Sequence, residues 1–422
     1  MSEPFNPLPA FAHWIAEADK NWSTLALTRA ANAFLDTLGV MLPGMQEEVV
    51  TRLTPLAERW GKGDCTVPLR RERLSAPMAA LVHGTAAHAL DFDDNFDPAK
   101  AHASAVLVPA ILAVADARNL SGPQMIDAYI VGLQIMGRVG QGINPYHRSR
   151  GWHATATVGA VGAAAAIARL IGLKEAEAAH AVSMSTSYAG GFMSQFGTMT
   201  KPLHAGLAAA GGVQAAEAAE AGITAGHDTL SGKTGMRTLM VGPDVEDIAA
   251  RMKGQSEYGQ TTDFASHAPG TPLLIEEVGL KVKRYPNCGS VHRALDGYLD
   301  LHHTHALNAE RVAHILVRAP AAHLRNLMYD NPENGMQAKF SLEYGLAVAM
   351  LRGNASVADY YDDNIMDADV RALFPKVRKD YVEKLESEFD TEVHVTLTDG
   401  SVLSTSVNMP VGSSARPFTQ DQ

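Results

Sequence analysis

The stretch "ATATVGAVGAAAAIARLIG", residues 154–172, decides the fold. It has the length of a membrane span, but its alanines are weakly apolar and Arg169 interrupts it, whereas a span needs roughly 20 strongly apolar residues. We read it as a buried helix, and its neighbours agree. Apolar positions recur at helical spacing over 24–40, 45–60, 76–91, 104–118, 122–140, 173–186 and 202–222, with little strand-like alternation between them. Asn119 and then Ser121–Gly122–Pro123 give a helix stop followed by an N1-proline start.

The pattern changes between about 224 and 275, where Gly, Ser, Thr and Asp rise through "AGHDTLSGKTGM" and "GQTTDFASHAPGTP". Strand-like pieces follow at 279–286, at 311–319, and in "EVHVTLT" and "SVLSTSV", the last two flanking a hairpin signal at Asp399–Gly400. Helical spacing returns at 291–303, 336–351 and 355–361. The expected fold is mainly α with an α+β part. A large all-helical domain over residues 1–255, joined by the segment from about 405, carries a smaller α+β domain over 256–404. The final "ARPFTQDQ" reads as a helix start, with Thr419 as N-cap and Asp421 in the first turn, or else as a disordered tail.

Of the 422 residues, 46% are hydrophobic and only 6% aromatic, so the helices should pack through small side chains. The net charge of −11, with acids and bases scattered, disfavours nucleic acid and anionic membranes as partners. An anionic substrate would need a local basic pocket. Cys65 and Cys288 lack metal-ligand spacing and read as reduced thiols. "MSEPFNPLPAF" has neither a basic nor an apolar leader region, so a cytoplasmic location is expected.

Five blocks carry residues fit for chemistry. In "HALDFDDNFDPAKAH" (88–102), Asp91, Asp93, Asn95 and Asp97 alternate as in a calcium loop. Phe96 stands where that loop turns on glycine, and His102 where it needs a bidentate Glu, so no metal is expected. His153 in "RGWHATATVG" precedes a helix whose N-terminus offers free N–H groups. Lys201 and His204 in "GTMTKPLHAG" also crown a helix N-terminus, the wrong end of the dipole for cations unless an anion compensates. Lys283, Arg284, Cys288 and His292 converge on another helix start in "KRYPNCGSVH", and Tyr344 lies on a helix in "QAKFSLEYG". The set suits a small anionic polycarboxylate and proton transfer by His or Lys. Phosphate-loop, dinucleotide and nucleophile-elbow motifs do not occur.

These blocks, in this order, resemble the MmgE/PrpD family, which includes 2-methylcitrate dehydratase, cis-aconitate decarboxylase and iminodisuccinate epimerase. The resemblance covers roughly residues 10–410. It implies a helical domain with an α+β lid, an active site in the cleft between them, no cofactor and a homodimer. By motif it implies a pocket of Asp91, His102, His153, Lys201, Lys283, His292 and Tyr344. Asn95 stands where decarboxylase-like members carry Thr, Cys288 where they place a histidine, and the Asp91–His102 spacer is one residue longer. Glu343 is a further departure, placing an acid where it would repel a substrate carboxylate. The family continues in helices past residue 410, which the short tail here does not match.

Together these readings give a cofactor-independent hydro-lyase acting next to a carboxylate of a 2-hydroxy tri- or dicarboxylate such as 2-methylcitrate. His153, Lys201, His102, Asp91 and Tyr344 are the expected catalytic groups; Lys283, His292, Asn95, Cys288 and His204 are expected to bind substrate. An epimerase of a substituted succinate is the alternative, then a cis-aconitate-type decarboxylase, then a non-catalytic polycarboxylate-binding dimer.

Overall fold

The computed structural model describes residues 5–244, 263–384 and 389–418. The chain forms two compact units. The first comprises residues 5–195, 199–244 and 263–281; the second comprises 196–198, 282–384 and 389–418. Thr419 and Asp421, read above as a helix start, lie outside the described residues.

The first unit is helical, with α1 (Leu8–Glu17), α2 (Thr24–Gly44), α3 (Glu48–Trp60), α4 (Ala76–Ala89), α5 (Ser104–Arg118), α6 (Gly122–Ile143), α7 (Ala154–Leu170), α8 (Glu175–Ser185) and α9 (Thr200–Glu220). A short antiparallel ribbon, β1 (Lys62–Thr66) with β2 (Arg73–Leu74), was not legible in the sequence. Every residue of α7 is buried, as its uniformly small and apolar composition requires. Arg169 is accommodated because its guanidinium bonds Asp127 at 2.8 Å and donates to the carbonyls of Ile15, Ala16 and Ala18 past the end of α1. It thereby satisfies carbonyls that a helix end leaves without partners. Among the described residues one helix, Thr24–Gly44, is long and apolar enough to cross a membrane; 39% of its most apolar window is buried.

Small residues let the central helices touch backbone to backbone. A methyl group at Gly206 of α9 would lie 2.2 Å from the carbonyl oxygen of Leu81 on α4. One at Gly212 would lie 2.3 Å from the Ala163 Cβ on α7. Such approaches hold α9 against both neighbours more tightly than larger side chains permit. They also bring the first turn of α9, with Lys201 and His204, beside the end of α4 and the start of α7.

The second unit packs α10 (Gly289–His305) and α11 (Leu342–Arg352) with a four-stranded sheet of β3 (Val312–Pro320), β4 (Val377–Val382), β5 (Thr391–Leu397) and β6 (Val402–Val407). The strand order is β4-β3-β5-β6; β3 and β4 run parallel and the other pairs antiparallel. Burial alternates strictly along β5, and its buried Val393 and Val395 share a core with Leu295 and Leu299 of α10. The Asp399–Gly400 turn joins β5 to β6, with Gly400 at φ +87°.

Three sequence expectations fail here. The stretch 279–286 is no strand: Lys281 makes one bridge to Asn95 within the first unit, and bends follow. The helix expected over 336–351 is split, because the Ser341 hydroxyl caps a new start by accepting from the Tyr344 N–H. The third, 355–361, is a 3-10 turn over Val357–Tyr360. The missed β4 carries Arg378, Lys379 and Asp380 in succession, which breaks apolar alternation but suits an edge strand.

Candidate active site

Three elements of the first unit deliver the site. Helix α4 ends at Ala89, and Asp91 takes a left-handed conformation, φ +50°, that a short acidic side chain tolerates. The chain then loops back through a Phe96–Ala101 bridge to the start of α5, presenting Asp91, Asp93, Asp94 and His102. His153 is the N-cap of α7, with its N–H bonded to the Gly191 carbonyl at 3.0 Å. Lys201 and His204 occupy the first turns of α9.

The anion that a lysine needs at a helix N-terminus is supplied by the chain itself. Lys201 Nζ lies 2.9 Å from Asp91 Oδ1, and both side chains are 4% exposed. The compensating anion that the helix-dipole argument calls for is thus Asp91.

The imidazoles are fixed by their acceptors. His102 Nδ1 is 2.9 Å from the Asp94 carbonyl, which can only accept, so Nδ1 carries the proton and Nε2 is the basic nitrogen when the ring is neutral. That Nε2 lies 3.9 Å from Asp91 Oδ1. Asp94 is itself anchored by the Ser104 hydroxyl, which also meets the Tyr129 hydroxyl at 2.7 Å. The Thr155 hydroxyl of α7 accepts the His102 backbone N–H at 3.1 Å, tying the loop to the helix.

His88 and Asp93 lie in the block quoted from the sequence but were not among the expected catalytic or binding residues. His88 Nδ1 sits 2.8 Å from Asp93 Oδ2, with both side chains nearly inaccessible, and its ring lies 4.5 Å from that of His102. His88 Nε2 is buried without a hydrogen-bond partner. The signal available was a histidine in the last turn of a helix, five residues before an acid; it was hidden by the apolar run around it.

His153 and His204 meet at their Nδ1 atoms, 3.0 Å apart. Burial, then the charge of Lys201, holds the His153 imidazole well below its ordinary value. Burial first, then His88 and Lys201, push His204 down to about 4. His88 is also lowered by burial, partly offset by Asp93. Neutral rings are therefore the resting form.

His88, Asp91, Asp93 and His102 each bring one potential ligand atom within 4.8 Å of the others. That nitrogen–oxygen set differs from the calcium-loop reading. Asn95 instead pairs its backbone with Lys281 through two 2.9 Å bonds, and Asp97 pairs with the Lys281 ammonium. The Lys201 ammonium lies beside Asp91, one of those four residues.

The first unit thus brings together Asp91, His102, His153, Lys201 and His204. Asn95 also lies in the first unit; Lys283, His292, Cys288 and Tyr344 belong to the second. Lys283 and His292 are each 3% exposed there, and His292 stands edge-on to Tyr285 with centroids 5.2 Å apart. Cys288 caps α10, its N–H bonded to the Lys339 carbonyl at 2.9 Å. Tyr344 is fully buried in the core around Tyr360, and its hydroxyl donates to the Asp359 carbonyl. Burial pushes that phenol well above its usual range, so it stays protonated. Glu343 is paired at 2.9 Å with Lys379, so the acid expected to repel a substrate carboxylate is compensated.

A cluster of buried imidazoles around a carboxylate–lysine pair has the composition of a general acid–base site. The sequence matches the MmgE/PrpD N-terminal domain over residues 9–248 and the MmgE/PrpD C-terminal domain over residues 285–422, and the chain belongs to that family. Among its relatives are the cis-aconitate decarboxylases of mouse, 25% identical, and human, 26% identical; each alignment covers 94% of this chain and 80% or 81% of the relative. A cis-aconitate decarboxylase-like protein of Aspergillus oryzae is 25% identical, over 94% of this chain and 84% of its own length.

Proposed function

We propose that the protein is a lyase that removes a proton from the carbon next to a carboxylate of a small polycarboxylate, and that its reaction is dehydration of a 2-hydroxy acid. The observation that carries this reading is the set of buried imidazoles packed around the Asp91–Lys201 pair. A proton alpha to a carboxylate is weakly acidic, so its removal needs both a base and compensation for the charge that develops. His153 is neutral and is the base of choice; Lys201, sharing its charge with Asp91 at rest, turns it toward the enolate-like oxygen as that charge grows. In the forward step the C–H bond breaks, its proton passes to an imidazole nitrogen of His153, and its electron pair forms the double bond. His102, protonated on both nitrogens in the complex, gives the Nε2 proton to the departing hydroxide, which leaves as water. A polyanion favours that doubly protonated form, since a negative charge nearby raises an imidazole pKa. No cofactor is required by this scheme. A cytoplasmic homodimer remains part of the proposal.

The relatives favour a second reading, loss of carbon dioxide from cis-aconitate. Here the C–C bond breaks and the carbanion takes the proton from an imidazolium. Cys288, where the resemblance places a histidine in decarboxylases, weighs against it. Proton NMR in deuterated buffer with 2-methylcitrate, citrate, cis-aconitate, malate and iminodisuccinate separates the readings. Dehydration converts the methyl doublet of 2-methylcitrate to a downfield alkene-methyl singlet, and gives new vinyl signals from citrate or malate. Decarboxylation consumes cis-aconitate alone, deuterium wash-in without new species means an epimerase, and silence across the panel removes the enzymatic reading. His153→Gln should slow the reaction about 10²–10⁴-fold if His153 is the base; undiminished C–H exchange would reassign that role.

A further inference from the structure

The contact between His153 and His204 imposes a chemical constraint. Two ring nitrogens 3.0 Å apart share a single proton, so two neutral imidazoles joined at Nδ1 must be opposite tautomers. Where His153 holds the shared proton, its Nε2 is a base and His204 carries its own proton on Nε2. Where His204 holds it, His153 Nε2–H is a donor. A proton arriving at His153 Nε2 lets the shared proton cross to His204 Nδ1, which leaves His153 neutral with an Nε2–H and His204 an imidazolium.

The surroundings hold that geometry. The His153 backbone is pinned at both ends: its N–H binds the Gly191 carbonyl, and its C=O accepts the N–H groups of Ala156 and Thr157 at 2.9 and 3.1 Å. Gly191 packs directly on the partner ring. A methyl group there would lie 2.7 Å from the Ala156 Cβ and 3.3 Å from the His204 ring, at a backbone φ of +144° that disfavours any side chain. His204 is itself 5% exposed, one turn along α9 from Lys201. A histidine that merely filled space would not need its Nδ1 aimed at another imidazole.

We propose that His204 is a positioning residue that selects the tautomer of His153 and receives its Nδ1 proton during turnover. This rests on the proposed role of His153 as base. When His153 Nε2 takes a proton from carbon, the Nδ1 proton crosses to His204 Nδ1. The carbon-derived proton stays on His153 as a neutral Nε2–H, and the positive charge comes to rest on the His204 ring. His153 can then accept a proton without itself becoming a cation. The return step reverses the same transfer.

The test is nitrogen NMR of the full-length protein labelled with 15N in its histidine rings, with the His153 and His204 signals assigned from the His153→Gln and His204→Phe variants. Opposite tautomers for the two rings are expected in the unsubstituted protein, which needs no variant to fold. Equal tautomers would overturn the proposal. His204→Phe should mix the tautomers of His153 and lower kcat about 10²-fold, with KM changed less than about 3-fold. His204→Asn, whose side-chain carbonyl can accept from Nδ1–H, should restore the single tautomer and part of kcat. An unchanged His153 spectrum in His204→Phe would also overturn it. Opposite tautomers together with undiminished substrate exchange in His153→Gln would keep the pairing and discard His153 as base.

Discussion

Asp91–Lys201 in the first unit and Glu343–Lys379 in the second are the same interaction in different surroundings. Each brings a carboxylate oxygen and an ammonium to 2.9 Å, with little exposure. Glu343 lies in the first turn of α11, the end of a helix that favours an acid, and Lys379 projects from a strand whose outer neighbour, Asp330, is largely exposed. Both residues sit where their helix and strand positions favour them. Asp91 sits at a positive φ, and Lys201 at the end of α9 that disfavours a cation, with His102 beside them. Local rules broken together, with a cluster of titratable rings around the break, mark a site rather than a brace.

The sharpest way to break this comparison is to remove one lysine from each pair. Lys201→Met should lower kcat/KM at least about 10³-fold. It should also cost about 3–5 kcal/mol in stability, because it strands a buried carboxylate. Asp91→Asn combined with Lys201→Met should recover most of that stability and none of the activity, as read by denaturant unfolding alongside the NMR assay. Recovery of activity would make the pair structural.

Lys379→Met should cost less, about 2 kcal/mol, since Glu343 can take up a proton and the site is closer to water. Its effect should appear in the urea midpoint and leave turnover at saturating substrate unchanged. A large loss of kcat would erase the contrast between the two pairs.

The smallest effect tests how the helical unit treats histidine away from the site. Burial lowers His83 to about 4 and His147 to about 3. Above pH 6.5 these rings are neutral folded or unfolded and contribute no pH dependence. As the pH falls below the unfolded value, the unfolded chain gains protons that the folded chain refuses, so stability declines toward pH 4. Each ring adds a slope of up to about 1.4 kcal/mol per pH unit. His83→Gln, whose amide can still donate to the Thr66 carbonyl that now receives the His83 Nε2–H at 3.0 Å, should flatten that slope by one proton. An unchanged slope would show that His83 is protonated in the fold.

Much of this was legible in the chain. The buried character of 154–170 followed from small apolar residues all round the helix, and the Asp399–Gly400 hairpin from a dipeptide that favours such turns. Asp91, His102, His153, Lys201 and His204 were found from residue types at helix ends, a local property. What escaped was non-local. The strand at 377–382 is defined by its pairing with β3, not by its own alternation, and the 279–286 segment has strand-like residues but only a single bridge to pair with.

The sequence by itself determined that helices dominate, that they pack through glycine and alanine, and which side chains could move protons. Only the tertiary structure decided what each of those side chains faces. It gave Lys201 an anion from the turn after α4, 110 positions earlier in the chain, tied His88 to Asp93, turned His204 onto His153, and drew Tyr344 into a core. The reason is physical: a helix end or a spacing fixes where a group stands on its own element. Its charge state and tautomer depend on desolvation and on partners within a few ångströms, and those come from elements the local sequence does not contain.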